Sequence, residues 1–213
     1  MPYLQRATNN YFGFVPAYGN QRTNIYQVSS SATTGATAIY PGDVVVYSTL
    51  ADAGPVVRVA TGGTSTDLGV MAGVAASFVG ALGGSTGADP RVLSSQTLLV
   101  YDDPNTIFVG CDTTSGVIGV GPLGKKYALL STGCVGSTGP GPGNHSVMAI
   151  SGVSASSGSG RGYRFTVIGL HPVENAYSSI SAGTAAAATA VRKWLMRPSQ
   201  HVQDLETAGN ITT

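Results

Sequence analysis

Apolar residues along this chain come in short runs separated by turn formers, with no sustained helical period, and that spacing predicts strands. Val44-Val45-Val46-Tyr47 and Pro55-Val56-Val57-Arg58-Val59 flank Ala51-Asp52-Ala53-Gly54, the pattern of a β-hairpin, and Pro41, Gly42 and Asp43 form a turn just ahead of it. Leu68 to Val74 reads as a strand punctuated by Gly69 and Gly73, where each glycine marks a bulge or a close backbone approach. Thr97 to Tyr101 and Thr106 to Val109 are two further strands, joined by Asp102-Asp103-Pro104-Asn105. Asp and Asn accept local backbone donors and Pro presets φ, so that tetrad is a turn. Tyr163 to Leu170 alternates large apolar with polar residues, as a half-buried strand does.

Other stretches predict loops. Phe78 to Arg91 carries four glycines with Asp89 and Pro90, and the tract from Ser131 to Gly162 is rich in Gly, Ser and Pro, interrupted by a short strand at Ser146 to Ser151. It has no triplet period, which excludes a collagen-like triple helix. From Ala182 to Arg197, four consecutive alanines favour helix while Val191, Trp194 and Leu195 fit helical spacing loosely, so a short helix feeding a last strand is expected. That strand should lie at an edge or end at Pro198, which lacks a backbone donor. Residues Met1 to Gly42 contain no acid but hold Tyr3, Tyr11, Phe12, Phe14, Tyr18 and Tyr26. Gly13, Pro16 and Gly19 interrupt any period there, which describes an arm whose aromatics fill pockets on a neighbouring surface or strap back over the domain itself.

Composition sharpens this picture. Only 10% of the 213 residues are charged, against roughly 25% in an ordinary soluble domain. The 30 glycines are near twice the usual share, so the surface is mostly Ser, Thr, Gly, Asn and backbone. A net charge of +1 gives no broad attraction to nucleic acid or to an anionic membrane, and it leaves a free monomer prone to associate. No basic segment followed by an apolar core opens the chain and no run of about 18 apolar residues occurs, so neither signal-directed secretion nor a membrane span is expected. Cys111 and Cys134 are too few for a paired zinc motif and read as two buried thiols of a cytosol-made protein, a single disulfide being the alternative.

Candidate chemistry is thin. Gly119-Val120-Gly121-Pro122-Leu123-Gly124, followed by Lys125 and Lys126, has the G-x-G-x-x-G spacing of a phosphate-binding loop but no helical period after it, so a Gly-rich strand connection is the better reading. Ser85 stands in the nucleophile place of G-x-S-x-G, within a loop rather than a strand-turn-helix elbow. His145, His171 and His201 are scattered and assemble neither a metal centre nor a triad. Asp102 and Asp103 are an adjacent acid pair, but neighbours on a strand point to opposite faces, so turn capping is favoured over acid–base work. Asn144 and Asn210 match a glycosylation pattern that has no meaning without a secretory route. No cofactor, no metal and no enzymatic activity are expected.

The ordered set of segments resembles the head decoration, or cement, proteins of tailed bacteriophages. The matching pieces are Phe12 to Pro16, Gly19 to Tyr26, Ala36 to Val45, Leu68 to Val74, Val100 to Val109, Ile168 to Ala176 and Lys193 to Arg197, which span nearly the full length in order. No piece is diagnostic by itself. Two features depart from the resembling proteins: Pro198 falls where their last strand continues, and the loops Gly83 to Arg91 and Gly133 to Gly143 are longer or richer in Gly. The resemblance implies a protein of the virion exterior, made in the host bacterial cytoplasm, that binds the outer surface of an icosahedral shell. It would brace adjacent major capsid subunits, with self-contacts or a homo-oligomer on the lattice.

The resulting expectation is a mainly β, barrel- or sandwich-like single domain with an extended N-terminal arm and long Gly/Ser-rich loops. The arm is residues 1–38, the β-rich domain 39–200 and a C-terminal tail 201–213. The capsid-binding residues are expected to be Tyr11, Phe12, Phe14 and Tyr18, and Pro41, Gly42, Asp43, Asp102, Asp103 and Pro104 are expected to be structural turns. The competing readings are a phage tail or fibre component, which should show internal repeats that this chain lacks, and a carbohydrate-binding β-sandwich, which should cluster aromatics with acids.

Overall fold

The computed structural model describes residues 13–28, 39–47, 56–60, 70–79, 97–112, 123–129, 146, 148–154, 163–172 and 193–199. Within them lie β1 (Val15–Tyr18), β2 (Thr23–Val28), β3 (Val44–Tyr47), β4 (Val56–Val59), β5 (Met71–Val79) and β6 (Thr97–Tyr101). They continue with β7 (Ile107–Cys111), β8 (Lys126–Leu129), β9 (Ile150–Ser154), β10 (Tyr163–Leu170) and β11 (Lys193–Pro198). No helix occurs among the described residues. The chain is mainly β, as its apolar runs predict.

The strands form a six-stranded sheet, in the order β1-β7-β11-β10-β8-β9, and a small closed barrel, β2-β4-β3-β5-β6. All pairings are antiparallel except β2 with β4. The predicted hairpin is the antiparallel pair β3–β4, with Val45 opposite Val59 and Tyr47 opposite Val57. Two expectations shift. The strand within the Ser131–Gly162 tract starts at Ile150 and ends at Ser154, later than the Ser146 to Ser151 reading. The last strand ends at Pro198, yet it is interior, between β7 and β10. Pro198 is tolerated because the next residue takes over, Ser199 donating its N–H to the Arg164 carbonyl at 2.9 Å. Residues 80–91, 131–145, 182–192 and 201–213, on which other loop, helix and tail expectations fall, lie outside the described residues.

One long antiparallel ribbon runs through both sheets. Val15 stands opposite Val109 in the six-stranded sheet and Thr23 opposite Tyr101 in the barrel. Eight residues separate the two pairs on each strand, while the pair nearest the bend, Tyr18 with Ile107, is shifted by one residue after Pro16. At the bend, residues 19–22 and 102–106 leave one sheet for the other side by side, the corner device of strands that switch sheets. Gly19 has φ +92°, and a Cβ there would stand 2.8 Å from the Asn105 carbonyl oxygen, so only glycine lets the two strands turn this closely. Asp102 to Asn105 therefore does not join a hairpin: β6 and β7 belong to different sheets, and the segment is one half of the corner.

A single apolar cluster fills the space between the sheets. It joins Val44, Val46, Met71, Val74 and Val100 of the barrel to Phe108, Phe165, Val167 and Met196 of the six-stranded sheet. Phe14 lies in it, 1% exposed, stacked on Phe165 with ring centroids 4.3 Å apart. Phe108 meets Phe165 edge-on at 6.2 Å. This corrects the division at residue 38: residues 13–28 supply β1 and β2 and are part of the domain, because Phe14, Tyr26 and Val28 lie in the core that both sheets share. Phe14→Ala should lower the free energy of unfolding by about 3–5 kcal/mol, measured by urea denaturation, whereas a residue of a free arm would change it by less than about 0.5 kcal/mol.

Candidate functional site

The outward face of the six-stranded sheet follows from strand alternation. On β7 and β11 the burial pattern alternates, with Phe108, Gly110, Trp194 and Met196 inward and Ile107, Val109 and Leu195 outward. Register sets Val15 beside Val109 and Val109 beside Leu195, and Leu195 stands opposite Gly169, next to the bulge that turns Ile168 outward. An apolar row thus crosses four strands, with Val15 50% and Ile168 42% exposed at its ends. Tyr18, 51% exposed, stands on the same edge strand. None of the six strands contains Asp or Glu; their charged residues are Lys126, Lys193 and Arg197, with Arg164 buried.

Of the four residues expected to bind a capsid, Tyr18 is exposed on this face, and Tyr11 and Phe12 lie outside the described residues. Phe14 is a correction: its side chain packs on Phe165 and is not available to a partner. Sequence reading missed Val15, Val109, Leu195 and Ile168, since their shared face depends on pairings between strands far apart in the chain.

The two turn segments carry the electrostatics. Residues Tyr40 to Asp43 close a turn in which Asp43 N–H donates to the Tyr40 carbonyl at 3.0 Å, with Pro41 presetting φ and Gly42 at φ +93°, the pattern of a type II turn. The Asp43 carboxylate accepts the Tyr40 N–H at 2.8 Å on Oδ2, while Oδ1 is fully buried with no hydrogen-bond partner. Burial pushes its pKa up from 3.8 to about 7, against the lowering effect of hydrogen bonds from Ser146 and the Tyr40 backbone. The turn is also a tie between the sheets. Phe14 N–H donates to the Gly42 carbonyl at 2.9 Å, Gly42 N–H to Ala75 at 2.8 Å, and Val44 N–H to Met148 Sδ at 3.0 Å.

Asp102 is buried and does more than cap a turn. It accepts Arg22 Nε at 3.1 Å on Oδ1, and Asn24 Nδ2 and Tyr26 Oη on Oδ2, the latter at 3.0 Å. Asn24 and Tyr26 of β2, and Arg22 just ahead of it, stand two positions apart and so project from one face toward it. Burial, then the Tyr47 hydroxyl 3.4 Å away, then Asp102 raise the Tyr26 pKa, keeping the phenol protonated as a donor. The neighbouring Asp103 does the capping: its Oδ1 accepts Asn105 N–H at 2.8 Å and its carbonyl accepts Thr106 N–H at 3.1 Å across Pro104.

The remaining candidates do not converge. After Gly124 the chain enters strand β8, so the glycine-rich segment does not open a helix. Cys111 is a buried thiol, His171 is partly exposed just past β10, and Ser85, Cys134, His145 and His201 lie outside the described residues. Among the described residues no three of His, Cys, Asp or Glu come together to hold a metal ion, and no helix is long and apolar enough to cross a membrane. Comparison of the chain with protein-family models, with curated proteins and with solved structures finds no match.

Three outcomes test the electrostatic picture. Because the folded pKa of Asp43 lies above its unfolded value, the native state holds a proton between about pH 4 and 7 that the unfolded chain has released. Its contribution is full below pH 4 and falls as pH rises, by at most about 1.4 kcal/mol per unit. Denaturant midpoints measured across that range should decline in the native chain and lose this slope in Asp43→Asn. Asp102→Ala leaves the Tyr26 hydroxyl without its acceptor and should cost about 2–3 kcal/mol in the same assay. Arg22→Gln should cost less than about 1 kcal/mol, since the Arg22 side chain is 43% exposed and its ion pair is screened.

Proposed function

We propose that this chain is a structural adhesion protein of the head-decoration kind. It binds the outer surface of an icosahedral tailed-phage shell, braces adjacent major capsid subunits and makes or breaks no covalent bond. The acid-free six-stranded sheet with its exposed apolar row is the observation that carries this reading. A row of Val, Leu and Ile without carboxylates is a surface that loses little on desolvation and gains on contact, and apolar groups with depleted charge mark the centre of protein interfaces.

The low charge of the whole chain and its ordered resemblance to decoration proteins support the same reading. A cement protein that binds only the assembled lattice adds its binding free energy to shell stability by mass action, so many copies of a modest interface suffice. A typical interface takes about 800 Å² from each partner, of which this face would form the centre.

The contact surface differs from the one that sequence reading favoured. Removing Met1 to Gly19 would delete β1 and the core residue Phe14, so that truncation tests folding rather than adhesion. The informative variant is V15E/I168E, which places two carboxylates on the apolar row. Native chain mixed with undecorated phage shells should co-sediment with them and raise their rupture temperature. V15E/I168E should do neither while melting normally, and Ile25→Glu, at a 56% exposed position on the barrel, should behave as native. Native protein that leaves shells unaltered, or a double variant that binds as well as native, would exclude this mode of action.

A further inference from the structure

Beside the apolar row, three polar side chains stand abreast across β11, β10 and β8. Register pairs Arg197 with Thr166 and Thr166 with Lys126. Directly opposed residues in a sheet share a face, so two cations flank one hydroxyl, with backbones within about 10 Å of each other. The three line a cleft of about 190 Å³, together with Asn105 from the corner and Ser199 and Pro198 from the end of β11.

The charge in this cleft is one-sided. No acid lines it. Asp103, close to Asn105 in sequence, has one carboxylate oxygen engaged by the Asn105 N–H. Among the described residues no ion pair joins Lys126 or Arg197 to a carboxylate. Two cations on one face, either side of Thr166, concentrate positive potential that favours an anion seated between them.

We propose that this cleft is a binding site for a dianionic tetrahedral oxyanion, a phosphate or sulfate group, held between Arg197 and Lys126 over Thr166. Two cations match a double charge. Arg197 offers a planar fork of donors, Lys126 a point charge, and Thr166 and Asn105 offer hydroxyl and amide donors from other sides. A tetrahedral anion presents oxygens in as many directions, whereas a planar carboxylate uses two. The lysine lies in the segment whose glycine spacing hinted at phosphate binding, but the architecture is different: a cross-strand row and a corner, not a loop opening a helix. This site is independent of the apolar row and of any shell.

The test uses the full chain at constant ionic strength, because exposed charges are screened by salt. Inorganic phosphate, sulfate, phenyl phosphate and succinate are titrated by calorimetry and by backbone amide NMR. Phosphate or sulfate should bind saturably with a Kd on the order of 1 mM, shifting the amides of Asn105, Lys126, Thr166 and Ser199 in the native protein. Arg197→Gln and Lys126→Gln should each weaken binding about tenfold, and Lys125→Gln, on the exposed turn outside the cleft, less than about twofold. Tighter binding of phenyl phosphate than of inorganic phosphate assigns the site to an ester group, and the reverse assigns it to the free ion. The proposal is overturned if no saturable shift occurs at those four amides, if succinate binds as tightly as phosphate, or if Lys125→Gln weakens binding as much as Lys126→Gln.

Discussion

The fold turns on one corner. A two-stranded ribbon that begins in the six-stranded sheet must bend to become part of the barrel, and at the bend its ladder is interrupted and its polar groups are turned inward. Asp102 resolves the conflict. Its buried carboxylate gathers Arg22, Asn24 and Tyr26 from the opposing strand, while Thr106 Oγ1 donates to the Asn20 carbonyl at 2.6 Å across the same gap. These side-chain bonds satisfy polar groups where the ladder is interrupted. Gly19 supplies the closeness that the exchange requires.

A second tie acts at the far side of the core, where the turn at Asp43 accepts the Phe14 N–H and donates to β5 through Gly42. The two ties differ in kind. Asp102 accepts three side-chain donors from the opposing strand, whereas Asp43 keeps an orphaned oxygen and a raised pKa, so its environment favours the neutral form. Between them lies the aromatic layer of Phe14, Phe108 and Phe165, which makes barrel and sheet one body.

Much of the strand content was readable in the chain. The runs at Val44 to Tyr47, Thr97 to Tyr101, Ile107 to Val109 and Tyr163 to Leu170 announce themselves by β-branched and aromatic density between turn residues. The Pro41-Gly42 turn does so by its fixed and positive φ. The role of the N-terminal aromatics was not readable, because an acid-free, glycine-broken stretch has the same composition whether it wraps a partner or completes its own core. Asp102 was misjudged for a related reason: a turn-forming neighbourhood says nothing about three donors some eighty positions earlier that the register brings opposite it.

The sequence alone determined that this protein is built of short, sparsely charged strands, because period-two alternation and turn chemistry are local properties that each segment expresses by itself. Only the tertiary structure decided which strands pair, that residues 13–28 belong inside, and that Val15, Val109, Leu195 and Ile168 form one row beside a cleft flanked by Lys126 and Arg197. Those are matters of register between distant segments. A shift of one residue along any strand reverses every face it presents, and no single stretch of chain encodes that choice.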